Sequence, residues 1–408
     1  MKTIHKLLAL ALCLALLCGA VSATMRETGT SGLKLADEVT YTHTSWSNDQ
    51  KEGQYLQEHF LTYTSGGAVR PMVVYGDTLY GRSPMNYAAK FLEDKNLVLV
   101  AGVNGSFFDM NNGIPYGLIV TEGILRSSGN ISSIGFFADG KTVIGTPELK
   151  VTATIGGTEQ EIFYNKALTR DNGIGLYSRD YDTATKSSLK SYNVVLQPLS
   201  GKAELTMTGT LSATVRAVQD KTASCDIPED CFVLAIAEDS RYASALDTMK
   251  ALKTGDVVQI TTTCNAAWSA VQYACGGGEM LVENGVPATD FKLDTAEKFR
   301  ARTAAGLKTD GTLILYTVDE SDRHQPRRRR LHSGGRRLSG LFHWRDRQQP
   351  LGRQAARLRE LHLPHPHGHH GGPAAAAPSL SPLRDERPAR RARHADCQGV
   401  RRELSGGR

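Results

Sequence analysis

The stretch LKVTATIGG, Leu149–Gly157, alternates apolar and polar residues and ends on two glycines. That period of two is the pattern of a strand with one buried face, and the glycines supply the turn after it. The alternation returns in NVVLQPL (Asn193–Leu199) and LSATVRAV (Leu211–Val218), so the span 149–220 reads as sheet. Upstream, YGLIV (116–120), SIGFFADG (133–140) and TVIGT (142–146) read as short strands between Gly-containing turns, and LVLVAGV (97–103) as a strand before them. Downstream, VVQITTTC (257–264) and GTLILYTVD (311–319) complete the set. Residues 24 to about 70 are polar and Thr/Ser-rich, a loose lead-in moving into strand-like alternation at HFLTYTSG (59–66).

Two segments carry helical signals. Ser83 precedes Pro84 at a first helical position, with Met85, Ala88 and Leu92 on one face. RYASALDTMKALKTGD, Arg241–Asp256, is the second helix, stopping near Gly255. The expected fold is therefore α+β, with mostly short, largely antiparallel strands and two or three helices.

Charge divides the 408 residues unevenly. From Ser321 to Arg408 there are twenty Arg, no Lys and seven acidic residues, while the 320 residues before them hold 28 basic and 35 acidic ones. The body is mildly acidic, which argues against a nucleic-acid partner. The N-terminus joins basic MKTIHK to an apolar run, Leu7–Leu17, and to the small residues VSA ending at Ala23. This is the layout of a secretory signal peptide over residues 1–23, its apolar run too short to span a bilayer. The expectation is a secreted or cell-envelope protein with no transmembrane span after cleavage. Export makes Cys225, Cys231, Cys264 and Cys275 candidates for disulfides with three possible pairings, and buried thiols in a large core are an equal expectation.

Two Gly-punctuated stretches carry chemistry. In VNGSFFDMNNGIPYGLIV (Val103–Val120), Asn104-Gly105 turns the chain and Asp109 follows two phenylalanines. Such a rigid turn presents an amide and a carboxylate beside backbone N–H groups, able to hold a sugar hydroxyl or a phosphate oxygen. The competing reading is a tight hairpin whose Asn and Asp satisfy their own turn, and composition alone favours it. In FRARTAAGLKTDGTLILYTVD, Arg302 and Thr303 precede an expected bend at Gly306. Arg302 offers a planar donor fork to a phosphate or to a surface carboxylate.

Taken in order, NGSFFD with GIPYGL, SIGFFADGKTVIG, YACGGGEMLVENG and RTAAGLKTDGTLILYTVD make the span Met72–Asp319 resemble the phosphodiester glycosidase family. That family includes the lysosomal uncovering enzyme, which removes N-acetylglucosamine from a phosphodiester-linked mannose, and exported bacterial homologues. The resemblance implies hydrolysis of a sugar C1–O–phosphate bond. It places Arg302 on the phosphate, Asp109 in the carboxylate role, Asn104 on a substrate hydroxyl, and Thr303 with the backbone around Gly105 in support. A divalent cation bridging Asp109 and the phosphate is compatible with this set. The metal requirement and the oligomeric state are not legible in the sequence.

Family members continue after the VD with a glycine-rich helix start and a strand ending LDGGGST, whose Asp joins the cleft. Here HQPRRRRLHSGG, His324–Gly335, follows instead. Codons for Pro326–Ser333, read one nucleotide later, can spell Leu-Asp-Gly-Gly-Gly-Ser-Thr; the degenerate code permits this without forcing it. The last 88 residues also contain no Lys, Ile, Thr, Tyr, Asn or Met. The organisation expected is a signal peptide (1–23), lead-in and first strands (24–70), an incomplete phosphodiester glycosidase-like domain (71–320) and an out-of-frame, disordered tail (321–408). A polyanion-binding role for the arginines and a metal role for His365, His367, His369 and His370 rank below that reading. The chain as written is expected to be impaired. The alternative is a non-catalytic envelope protein binding glycan or phosphoglycan through the same cleft.

Overall fold

The computed structural model describes residues 25–48, 54–81, 86–288 and 301–322, all within one compact unit. The expected signal peptide, the Ser83-Pro84 helix start and the tail beyond Asp322 lie outside these residues.

The polar opening segment forms three long antiparallel strands, β1 (Met25–Ala36), β2 (Val39–Asn48) and β3 (Gln54–Tyr63). Helix α1 (Asn86–Asp94) follows, burying Ala88 and Leu92 at the i, i+4 spacing that stacks side chains on one helical face. The apolar run 97–103 is not a strand: Leu97 is 45% and Val98 85% exposed, and only Val103 at its end is buried. Short strands β4 (Ile119–Thr121), β5 (Ile124–Ser127), β6 (Ser133–Phe136) and β7 (Thr142–Gly145) come next.

The alternating span then behaves as its pattern dictates. Strand β8 (Lys150–Ile155) buries Val151, Ala153 and Ile155 and turns Lys150, Thr152 and Thr154 outward. It is followed by β9 (Thr158–Tyr164), β10 (Ile174–Tyr177), β11 (Ser191–Pro198), β12 (Leu205–Thr206), β13 (Gly209–Thr222) and β14 (Phe232–Ala237). Helix α2 (Ala243–Lys250) and β15 (Val257–Thr263) precede β16 (Tyr273–Gly276), the small hairpin β17 (Val282–Glu283) and β18 (Val286–Pro287), and finally β19 (Arg302–Leu307) and β20 (Leu313–Asp322).

Seven strands close into a barrel in the order β10-β14-β11-β13-β15-β8-β9, sealed by a parallel β9–β10 pair among otherwise antiparallel neighbours. A six-stranded sheet runs β12-β5-β4-β16-β6-β7, and a five-stranded antiparallel sheet β1-β2-β3-β20-β19 joins the first strands to the last hairpin. Strand β14 shows how the layers share a core. Phe232, Leu234 and Ile236 belong to one buried cluster with Val151 and Ile162. Val233 and Ala235 face a second cluster, with Ile119, Ile134 and Leu313. A strand buried on both faces has no polar alternation, which is why FVLAIA is continuously apolar.

The α+β expectation is therefore corrected: the protein is mostly β, with a seven-stranded barrel and two short α-helices among the described residues. Both helices read from the sequence exist, but at nine and eight residues each patches the core rather than forming a layer. Sheets cover sheets here, so little apolar surface is left for helices to bury. The bend expected at Gly306 also moves. Strand β19 runs through Gly306, and the chain turns at 308–312, where Asp310 accepts the Thr312 N–H at 2.9 Å and Gly311 takes φ 85°. No helix among the described residues is long and apolar enough to cross a membrane.

Candidate functional site

The loop from Asn104 to Gly117 is a self-bonded hairpin. Phe108 and Pro115 pair as an isolated bridge, and the Tyr116 N–H donates to the Phe107 carbonyl at 2.9 Å. Ser106 takes a left-handed φ of 58°, a conformation uncommon for a residue with a Cβ. The Asp109 carboxylate accepts the Asn111 backbone N–H at 2.8 Å and the Asn112 side-chain amide at 3.1 Å. Both of its oxygens thus serve the turn. Burial, with the charges of Tyr80, Asp182 and Asp109 near it, pushes the Tyr181 phenol upward.

Glycines let this loop dock on the sheets. A Cβ on Gly117 would lie 2.4 Å from the Gly276 Cα, one on Gly276 would lie as close to Gly117, and one on Gly129 would meet the Gly117 carbonyl carbon at 2.6 Å. Three backbone segments touch there, so the GGG of YACGGGE works by close approach of main chains. Phe107 lies over Gly278. On the other side the Gly81 N–H donates to the Asn112 carbonyl at 2.6 Å, while Leu79 and Tyr80 bond to the backbone of Asp180 and Tyr181.

Lys166, just past β9, completes the anchorage. Its Nζ donates to the carbonyls of Pro115, Tyr116 and Gly117 at 2.5, 3.2 and 3.0 Å. Burial pushes its amine down to about 7. The sequence reading missed this residue, since nothing in YNKAL marks it.

The five-stranded sheet supplies the second half of the site. In antiparallel pairs, directly opposed residues share a face. Val39, Tyr63 and Leu313 on β2, β3 and β20 are buried in the core. Two residues further along β3, Leu61 lies opposite Tyr41 and Leu315, and two further still His59 lies opposite His43 and Thr317. Thr317 in turn opposes Thr303. The face thus passes from apolar core to a polar row at Thr303, where its hydroxyl donates to Asn104 Oδ1 at 2.7 Å.

Of the residues expected in the site, Asn104 and Thr303 meet directly, with Gly105 beside Asn104 in the same loop. Asp109 sits further along that loop on its own turn. Arg302 opposes Val318, so alternation assigns it to the other face, in the row of Glu58. There Glu58 accepts from Trp46 Nε1 at 2.6 Å and from the Tyr316 hydroxyl at 2.7 Å. The two adjacent motif residues therefore face opposite ways. Among the described residues no group of three or more His, Cys, Asp or Glu side chains gathers as a metal site. All four body cysteines are free thiols.

Residues 212–333 match the phosphodiester glycosidase family model. The family resemblance read from YACGGGE and RTAAG is thereby borne out over this part of the chain. The match reaches into the first residues of the Arg-rich stretch, and the Asn104 loop lies upstream of it. The crystal structure of a hypothetical protein from Synechocystis is similar in fold, with a TM-score of 0.54 and 18% identity. The similarity covers 84% of this chain and 57% of that protein, so this chain spans little more than half of it. Among curated proteins there is no match.

Proposed function

We propose that this chain is an exported or envelope-associated member of the phosphodiester glycosidase type, acting on a sugar-1-phosphodiester. The observation that carries this reading is the Thr303–Asn104 hydrogen bond, which joins the RTAAG strand to the NGSFFD loop across the fold. The pair offers a neutral amide and a hydroxyl at the boundary between apolar core and polar rim, suited to a sugar hydroxyl or phosphate oxygen. Hydrolysis places water on C1 as the C1–O bond breaks, and the phosphomonoester leaves readily without strong protonation. Arg302 remains the proposed phosphate partner, requiring rearrangement from its present face, while Asp109, with both oxygens bonded in its turn, supports the loop that carries Asn104.

The same reading holds that the chain after about Ser321 is out of frame and that turnover is impaired. The test starts by resequencing the coding DNA across codons 316–336. The 408-residue chain and a chain carrying the offset frame are then assayed for free sugar released from the C1 methyl phosphodiesters of glucose and N-acetylglucosamine. Release by the second chain and little by the first is the expected result. Equal release refutes the impairment, and an offset frame that does not spell LDGGGST refutes the frame reading.

One observation favours the second reading, a glycan- or phosphoglycan-binding protein without catalysis: the Asp109 carboxylate is bonded within its own turn. Binding of the same probes without sugar release, in both chains, would select it.

A further inference from the structure

We propose that Asp319 is the reacting carboxylate of this site and that His59, held by Tyr41, is its positioning residue. The inference rests on the phosphodiester reading and deepens it. Asp319 follows Thr317 by two residues on β20, so it shares the face on which Thr303 meets Asn104. Its side chain is 67% exposed, whereas that of His59 is 9% exposed. An accessible carboxylate is thus paired with a buried orienter. Asp109 offers the opposite arrangement, with both oxygens used in its turn.

The proposal assigns donor and acceptor roles along a chain of contacts. The Tyr41 hydroxyl lies 2.8 Å from His59 Nδ1. Burial, with the charge of Asp319, pushes the Tyr41 phenol up to about 12, and the proposal has this hydroxyl donate to Nδ1. The neutral imidazole then carries its hydrogen on Nε2, the nitrogen 3.8 Å from Asp319 Oδ2. That separation is too long for a hydrogen bond, and rotation of the exposed carboxylate would close it.

His43 braces the ring from β2, stacked at 4.9 Å between centroids and 19° between planes, with its own Nε2 2.6 Å from Gln57 Oε1. The titratable groups facing His59 are therefore Tyr41 and His43 from β2 and Asp319 from β20. Burial lowers the His59 pKa, Asp319 opposes this, and His43 adds to it. A neutral donor imidazole is the form that orients a carboxylate without neutralising it.

In the hydrolytic step Asp319 accepts one proton from the attacking water as the water oxygen bonds to C1. The C1–O bond breaks, its electron pair leaves on the phosphate oxygen, and a phosphomonoester departs. The Asp319 proton returns to solvent.

The test uses the full 408-residue chain and a defined probe, the C1 methyl phosphodiester of glucose. Imidazole 15N resonances and the Asn104 side-chain amide are followed during titration with the probe, in the native chain and in Asp319→Asn and His59→Gln. Asp319 is exposed, so D319N separates function from folding, and thermal unfolding checks H59Q. The expected result is an Nε2–H tautomer for His59, a His59 response to the probe, and loss of that response in D319N while Asn104 still responds. In any chain that turns over, D319N is expected to lower kcat by about 10²–10⁴-fold and H59Q to move the acid limb of the pH profile. An Asn104 response with no His59 response, or a His59 response unchanged in D319N, overturns the proposal alone. Silence at both Asn104 and His59 overturns the phosphodiester reading and this proposal with it.

Discussion

The Thr303 hydroxyl donates to Asn104 Oδ1 at 2.7 Å, although 199 residues separate the two. This bond ties the hairpin β19–β20 to the loop before β4. Removing either partner strands a partly buried polar group, so Thr303→Val and Asn104→Ala should each cost about 1 kcal/mol. A double-mutant cycle in urea should return a coupling of about 0.5–1.5 kcal/mol. Simple additivity would show that the bond does not form in solution.

Lys166 gives a pH signature. Folding brings its amine down to about 7, while in the unfolded chain it holds its proton to about 10.4. Between those values the unfolded state binds more protons, so this group makes stability rise with pH from about 7 to 10. Stability against urea, measured at several pH values, should show that slope, and Lys166→Met should flatten it. The same substitution removes the donor from three carbonyls, and amide exchange should speed up within residues 113–118.

Gly117 and Gly276 exclude any side chain, because a Cβ on either would sit 2.4 Å from the other's Cα. Gly117→Ala or Gly276→Ala should destabilise by about 1–3 kcal/mol through backbone displacement. Thermal unfolding reads the loss. A change within experimental error would mean that the loop does not dock on β16 as described.

The thiols of Cys225 and Cys275 are pushed upward by burial, Cys225 to about 11. Little thiolate forms at neutral pH, and Cys231 is buried as well. Native alkylation followed by peptide mass spectrometry should leave Cys225, Cys231 and Cys275 unlabelled over the time in which a denatured sample reacts fully. Cys264 is half-buried and should label ahead of the other three. Peptides cross-linked between any two of them would contradict the free-thiol state.

Local pattern carried the parts of this structure that depend on near neighbours. The alternation in Leu149–Ile155 appears as the alternating burial of β8, and the i, i+4 pair Ala88 and Leu92 appears as the buried side of α1. LVLVAGV misled because an apolar run becomes a strand only where a neighbouring strand pairs with it. The class was misjudged for a related reason: what a helix contributes depends on whether other sheets have already covered the core.

Of the candidate site, one contact was legible in the sequence. Asn104 and Thr303 were named from their motifs, and they meet. Arg302 was grouped with Thr303 because the two are adjacent in sequence, yet adjacency on a strand places side chains on opposite faces. Tyr41, His59 and Lys166 left no motif, because each acts through a partner supplied by another strand or loop.

By itself the sequence determined the strand periods, the turn glycines, the family motifs and the change in character near Ser321, all of which are local in the chain. The tertiary structure alone decided that a barrel closes through the parallel β9–β10 pair. It also decided that β20 lies beside β3 and that His59 therefore shares a face with Thr303 and Asp319. Strand register and sheet order bring distant residues together through long-range pairing, and no window along the chain encodes which strand will be the neighbour.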